Sequence, residues 1–195
     1  MIASITKNIE YQFSGFGILV KIIERYYQNI VKNEIRVSGI KSSDRVLCIG
    51  GGSVPCTAIL INKLTNAKVK VIDVDLKALR KAENLIKKLN LEKEIDIEYG
   101  NGNSIDCKKF DIIHIALQVH PREKIIRNVL NTCKYGNKVI VRMPKDCLKG
   151  FYSDVKKEKL GIDNVNIVTE SFSSKFNTMK EVLLIEKAEG IEREY

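Results

Sequence analysis

The sequence predicts an α/β fold: a mostly parallel sheet covered by helices on both faces and preceded by a short helical extension. Three observations predict it. From residue 40 onward, short β-branched apolar runs alternate with helical stripes, and strand–helix alternation with short connections implies parallel strands. The first run enters the first helix through a glycine-rich stretch, CIGGGSVPCT, at residues 48–57. The chain closes on two strand-like runs separated only by a loop, a connection that normally makes an antiparallel pair.

Each element has its own signal. Residues 1–39 read as helical, with Ile18, Ile22, Ile23, Tyr26, Tyr27, Ile30 and Val31 at helical spacing and Gly39 as a stop. This stretch is expected to be an extension that covers a substrate or contacts a second copy in a homodimer, with residues 40–195 forming one ligand-binding domain. DRVLCIG reads as a strand, VPCTAILINKLTN as a helix, AKVKVIDVD as a strand and LKALRKAENLIKKLN as a helix. IDIEYGN and FDIIHIAL follow as strands, PREKIIRNVLNTC as a helix and NKVIVRMP as a strand. NVNIVTESFS and MKEVLLIEKA are the terminal pair.

Composition narrows the class. A chain of 195 residues, 44% hydrophobic, has enough apolar material for one core. No run is long and apolar enough to span a bilayer, and the N-terminal residues lack the apolar core and cleavage pattern of a signal peptide. The five cysteines (Cys48, Cys56, Cys107, Cys133 and Cys147) form no C-x-x-C pair. They read as reduced thiols of a cytoplasmic protein, with no metal site. The net charge of +9 is mostly scattered lysine, which favours a solvated surface over a nucleic-acid face. It keeps an RNA partner among the alternatives.

In an open parallel sheet, ligands bind beyond the carboxyl ends of the strands. The first such turn holds Gly50, Gly51 and Gly52, followed by Ser53 as a candidate helix cap and Pro55 for the helix's first turn. No Gly-Lys-Ser/Thr follows, so a P-loop is excluded, and Pro55 stands where a dinucleotide fingerprint needs its third glycine. A purely structural turn and an S-adenosylmethionine loop remain. The next strand ends in Asp73, about twenty residues beyond the glycines, where an acid accepts ribose hydroxyls; Asp75 is expected to cap the helix after it. A third strand end brings Asn101, suited to an adenine edge, and Gly102 to the same cleft. Three suitable strand ends favour S-adenosylmethionine.

VLCIGGG, VIDVD and FDIIHIAL, in this order, resemble the class I S-adenosylmethionine-dependent methyltransferases. The resemblance implies a Rossmann-like sheet of seven strands whose C-terminal hairpin makes one strand antiparallel. More narrowly, IGGGSVPCTAIL, the upstream YYQN with a following NE, and the downstream VHPREKIIRNV, VIVRMP and FNTMKEVLL are similar to the nicotianamine synthase group. That resemblance runs from about Tyr26 to about Lys187. It implies transfer of a 3-amino-3-carboxypropyl group from S-adenosylmethionine to the amine of a small-molecule acceptor, with methyl transfer to a small molecule or RNA as the alternative. It adds Val74, Ala116 and Leu117 to the expected cofactor contacts.

An amine acceptor must lose a proton. Glu34 is the candidate base and Tyr27 its positioning partner, two turns away on one helix. His120 is a second candidate, as base or substrate contact. His114, in an apolar strand, reads as a satisfied buried residue. Arg142, at a strand end, is suited either to a substrate carboxylate or to a helix glutamate. HIALQVHP lacks the Asp/Asn-Pro-Pro-aromatic motif that grips an exocyclic base amine, which argues against a DNA adenine methylase.

Overall fold

In the computed structural model of the chain, residues 17–145, 165–171 and 179–188 are described. Helix α1 (Gly17–Ser38) comes first, then β1 (Arg45–Ile49), α2 (Cys56–Thr65), β2 (Lys68–Asp73), α3 (Leu76–Lys88) and β3 (Ile95–Tyr99). The chain continues through β4 (Ile112–Ile115), α4 (Arg122–Thr132), β5 (Lys138–Pro144), β6 (Val165–Ser171) and β7 (Met179–Lys187). Residues 1–16 of the expected extension, and Cys147, lie outside the described residues.

The strands form one seven-stranded sheet in the order β3-β2-β1-β4-β5-β7-β6. β1 to β5 are parallel, and β7 runs antiparallel to both β5 and β6. The α/β reading therefore holds, and the terminal hairpin folds back so that its second strand sits inside the sheet. Chain order reverses between β1 and β4. Their diverging carboxyl ends open the crevice where such folds take ligands.

The alternation of side chains along a strand divides the core in two. Val46 and Cys48 of β1 join Val31 of α1 and the apolar faces of α2 and α3. Leu47 and Ile49 join the apolar face of α4. The same alternation puts three polar side chains on the α1 side of the sheet. His114 lies in register with Cys48 and with Ile140, and Lys138 and Arg142 flank Ile140 at two-residue steps on β5. At the exposed sheet edge, Lys70 of β2 pairs with Asp96 and Glu98 of β3, a charged cover that discourages further strand pairing.

The helix boundaries follow local chemistry. Gly39 ends α1 at φ +68°, its N–H donating to Ile35 O at 2.8 Å. Asp75 caps α3 as expected, accepting from the N–H groups of Lys77 (3.0 Å) and Ala78 (3.2 Å). Ser53 does not cap α2. The cap position is Pro55, with no side-chain hydrogen bond, and the buried Ser53 hydroxyl has no hydrogen-bond partner.

The glycines of the first turn answer to packing. Gly50 has φ +85°, and a Cβ there would collide with Val119 Cγ1 and press on Ala116. A Cβ on Gly51 would collide with Val71 Cγ1. The loop after β4 and the body of β2 thus already occupy the space beside these two residues. Gly51→Ala is expected to destabilise the fold by about 1–3 kcal/mol through overpacking. In urea unfolding, its effect added to Val71→Ala should fall well short of the sum of the two single changes, because Val71→Ala vacates the space that the new methyl needs.

Candidate active site

Two groupings of polar residues lie toward the carboxyl ends of the strands. The first is the cofactor-type cleft. Asp73 ends β2 with its carboxylate oriented by backbone donors: Gly52 N–H to Oδ2 at 2.8 Å and Asp75 N–H to Oδ1 at 3.0 Å. Each oxygen accepts one bond, which leaves further lone pairs for two hydroxyls of a ligand. Val74, beside it, is 58% exposed, so an apolar surface borders the acid. Across the switch point, Ala116 lies against Gly50, and Leu117 is buried.

The third strand end behaves differently from its expectation. Asn101 is exposed, and its Oδ1 accepts from Asn103 N–H at 2.9 Å in a local turn. That commits the oxygen and leaves Nδ2 as its outward group. Gly102 is buried; a Cβ there would approach Ile49 and Ile125 within 2.9 and 3.0 Å. Its carbonyl accepts from Asn128 Nδ2 at 3.0 Å, which ties this loop to α4.

The second grouping is a buried ion pair. Glu34 of α1 has no solvent exposure. Arg142 grips it with both arms of its fork, Nε to Oε1 at 2.6 Å and Nη2 to Oε2 at 2.8 Å, the bidentate geometry that makes such bonds strong. His114 Nε2 lies 3.4 Å from Oε1; a carboxylate only accepts, so this nitrogen carries the proton in that contact. Burial alone pushes the Glu34 carboxyl up, but the charge of Arg142, then His114 and the hydrogen bonds, outweigh it and hold the group down at about 2. His114 is shifted down, first by burial and then by the Arg142 charge, with Glu34 opposing. Burial pushes the neighbouring Cys48 thiol up to about 12, so it is inert.

Arg142 also faces Tyr27, its guanidinium carbon 5.3 Å from the ring centroid, within cation–π range. Tyr26 packs edge-on against that ring at 5.0 Å. Tyr27 is half-buried and packs with Ile30, Leu117 and Met179. Tyr27 and Glu34 therefore do share one face, as their spacing predicts. Glu34 itself does not sit as a base would: a carboxylate held near 2, closed to solvent and bonded twice to an arginine, is a poor proton acceptor. Arg142 takes the helix glutamate of its two expected roles. His120 is exposed on the loop between β4 and α4, outside the buried group.

Arg122, which the sequence reading passed over, is fully buried at the start of α4, with Nη2 bonded to the carbonyl of Arg142 and 3.8 Å from Met143 Sδ. An arginine in the first turn of a helix gives no periodic signal for burial. For His114 and Arg142 a signal did exist: the two-residue step along β4 and β5, which puts both on the face that meets α1. Among the described residues, no group of three His, Cys, Asp or Glu is arranged to hold a metal. No described helix is long and apolar enough to cross a membrane.

The strand order and the oriented acid define the Rossmann-like fold of S-adenosylmethionine-dependent methyltransferases. A putative methyltransferase from Methanococcus maripaludis is similar to this chain at a TM-score of 0.70, with 16% identity over 94% of each chain. The model of the nicotianamine synthase protein family matches residues 20–189, and the chain belongs to that family. It is also similar to a crystal structure of a mutant of MtNAS in complex with S-adenosylmethionine, at a TM-score of 0.74, with 20% identity over 84% of this chain and 62% of that one. An L-histidine 2-aminobutanoyltransferase of Yersinia pestis is 24% identical over 116 residues, 60% of this chain and 43% of that protein. The chain thus matches less than two thirds of the length of either of these two relatives.

Removing one member of the buried pair strands the other's charge. Arg142→Met is expected to cost about 3–5 kcal/mol in urea unfolding, and adding Glu34→Leu should recover much of the loss. The pair also sets an acid limit. The folded Glu34 carboxyl sits near 2 against an ordinary 4.5, so its stabilisation is complete above 4.5 and is lost as pH falls toward 2. His114, also shifted down, contributes with the same sign below its ordinary 6.5. Unfolding free energy measured against pH should fall less steeply below 4.5 in the double variant than in the parent.

Proposed function

We propose that this chain binds S-adenosylmethionine at the carboxyl ends of β1, β2 and β4 and transfers its 3-amino-3-carboxypropyl group to the amine of a small amino-acid-like acceptor. The observation that carries this reading is the oriented Asp73 carboxylate in a chain that belongs to the nicotianamine synthase family. The residues fit the cofactor: Asp73 has lone pairs for both ribose hydroxyls, Val74 offers an apolar surface for the adenine, and Ser53 has a buried hydroxyl lacking a partner. Gly50 to Gly52, Asn101 Nδ2, Gly102, Ala116 and Leu117 complete the proposed contacts. When bound, the cofactor supplies a sulfonium-activated carbon, which the acceptor nitrogen attacks as the carbon–sulfur bond breaks to leave methylthioadenosine.

The protein's part is to hold the two reactants in line, exclude water and accept the ammonium proton. We assign Tyr27, which packs against the cluster of Ile30, Leu117 and Met179, the role of orienting the amine, and the exposed His120 the role of taking the proton. The same reading takes α1 (Gly17–Ser38) as a cover for the substrate or as a contact with a second copy. The four described cysteines are buried free thiols, which supports a reducing, cytoplasmic setting.

The nucleoside product tests the reaction. Incubated with S-adenosylmethionine and a panel of L-amino acids that includes L-histidine, the chain is expected to release methylthioadenosine. Release of adenosylhomocysteine alone would make it a methyltransferase instead. Asp73→Asn is expected to weaken S-adenosylmethionine binding about 10- to 100-fold in calorimetry, the loss of a charge-assisted hydrogen bond.

A further inference from the structure

We propose that Glu34 and Arg142 are positioning residues that act through Tyr27: the buried pair sets where the Tyr27 ring stands at the mouth of the cleft, and Glu34 does not itself handle the acceptor's proton. The inference rests on the functional reading above and deepens it.

The geometry carries it in three steps. Glu34 is closed to solvent and takes both arms of Arg142, so it has no route to an acceptor. The guanidinium that binds Glu34 also stands 5.3 Å from the centre of the Tyr27 ring. A planar guanidinium can do both at once, because the fork bonds in its plane while its face remains open for stacking. Tyr27 packs against the cluster of Ile30, Leu117 and Met179, and Leu117 lies just after β4, on the loop that the functional reading gives to the cofactor. With the reactants assigned to that loop, Tyr27 stands between them and the pair.

The register of α1 on the sheet makes the arrangement specific. Lys138 Nζ donates to Ser38 O at 2.9 Å, gripping the last turn of α1. From Lys138 to Arg142 is four strand residues, about 13 Å. Along α1, Ser38 to Glu34 is about 6 Å and Ser38 to Tyr27 about 16 Å. With Lys138 fixed at the helix end, Arg142 falls between Glu34 and Tyr27 and reaches both. Arg122 fixes the other side, its guanidinium on the carbonyl of Arg142. Two cations on one strand therefore index the helix along its axis, and Tyr27 takes its position from that index.

The test is a double-mutant cycle on the full chain, with S-adenosylmethionine and the amino acid that gives most methylthioadenosine. Glu34→Gln and Tyr27→Phe are each expected to lower kcat about 10- to 100-fold, the range a misplacement near 1 Å produces. The double variant should lose no more than Tyr27→Phe alone, and Glu34→Asp should recover part of the Glu34→Gln loss. A double variant that loses the product of the two single effects overturns the proposal, because Glu34 then acts independently of Tyr27. So does an unchanged kcat in Glu34→Gln.

Arg142→Lys keeps the charge and removes the fork, so it gives an independent reading if Glu34→Gln does not fold. In ring-labelled NMR of the ligand-free protein, the Tyr27 signal, assigned by its disappearance in Tyr27→Phe, should shift or broaden in Arg142→Lys. A Tyr27 signal unmoved by that change overturns the proposal. If the parent protein yields no nucleoside product with any amino acid, the functional reading fails, and the ring signal alone then decides whether the pair positions Tyr27.

Discussion

A carboxylate that has lost all its water organises this molecule. Glu34 is buried with no exposure, a state that costs several kcal/mol unless a partner compensates it. The bidentate fork of Arg142 and the contact with His114 supply that compensation. Because the three groups belong to α1, β5 and β4, satisfying one charge fixes three elements against one another. The helix cannot slide without separating the pair, and the two central strands cannot shift register without moving its partners out of reach.

That constraint sits beside the ligand cleft without being part of it. The cleft depends on a different economy of hydrogen bonds. Asp73 orders the turn after β1 by accepting from Gly52, and orders the start of α3 by accepting from Asp75. Asp75 in turn caps α3. One acid thus connects the first two loops of the sheet. Gly50 and Gly51 make this possible by letting Val119 and Val71 close on the backbone. They shape the loop through packing against the protein.

The arrangement divides labour between the two groups. The Asp73 side is local, built from residues near each other along strand ends and loops. The Glu34 side is assembled from positions up to 108 residues apart. A local site tolerates variation elsewhere in the chain. A grouping assembled over such separations ties the N-terminal helix to the core, so the position of Tyr27 is linked to how well α1 is seated.

Sequence alone determined the elements, the α/β class, the loop with its acid at the end of the next strand, and the cap at Asp75, because these depend on near-neighbour chemistry: strand alternation, helical stripes, and hydrogen bonds a few residues apart. It also placed Tyr27 and Glu34 on one helical face, since two turns of a helix bring residues seven apart into line. It could not decide what Glu34 faces. VIVRMP and FDIIHIAL show a cation and an imidazole in apolar strands, but only the parallel pairing of β4 with β5, and the seat of α1 across them, turns those side chains toward one carboxylate. The candidate base thereby became a buried anion, Arg142 found its partner inside the protein, and Ser53 lost its expected role as a cap while Pro55 took the position. In each case the outcome was set by burial and by contacts across the sheet, which lower the effective dielectric and select one partner among several that local sequence allows.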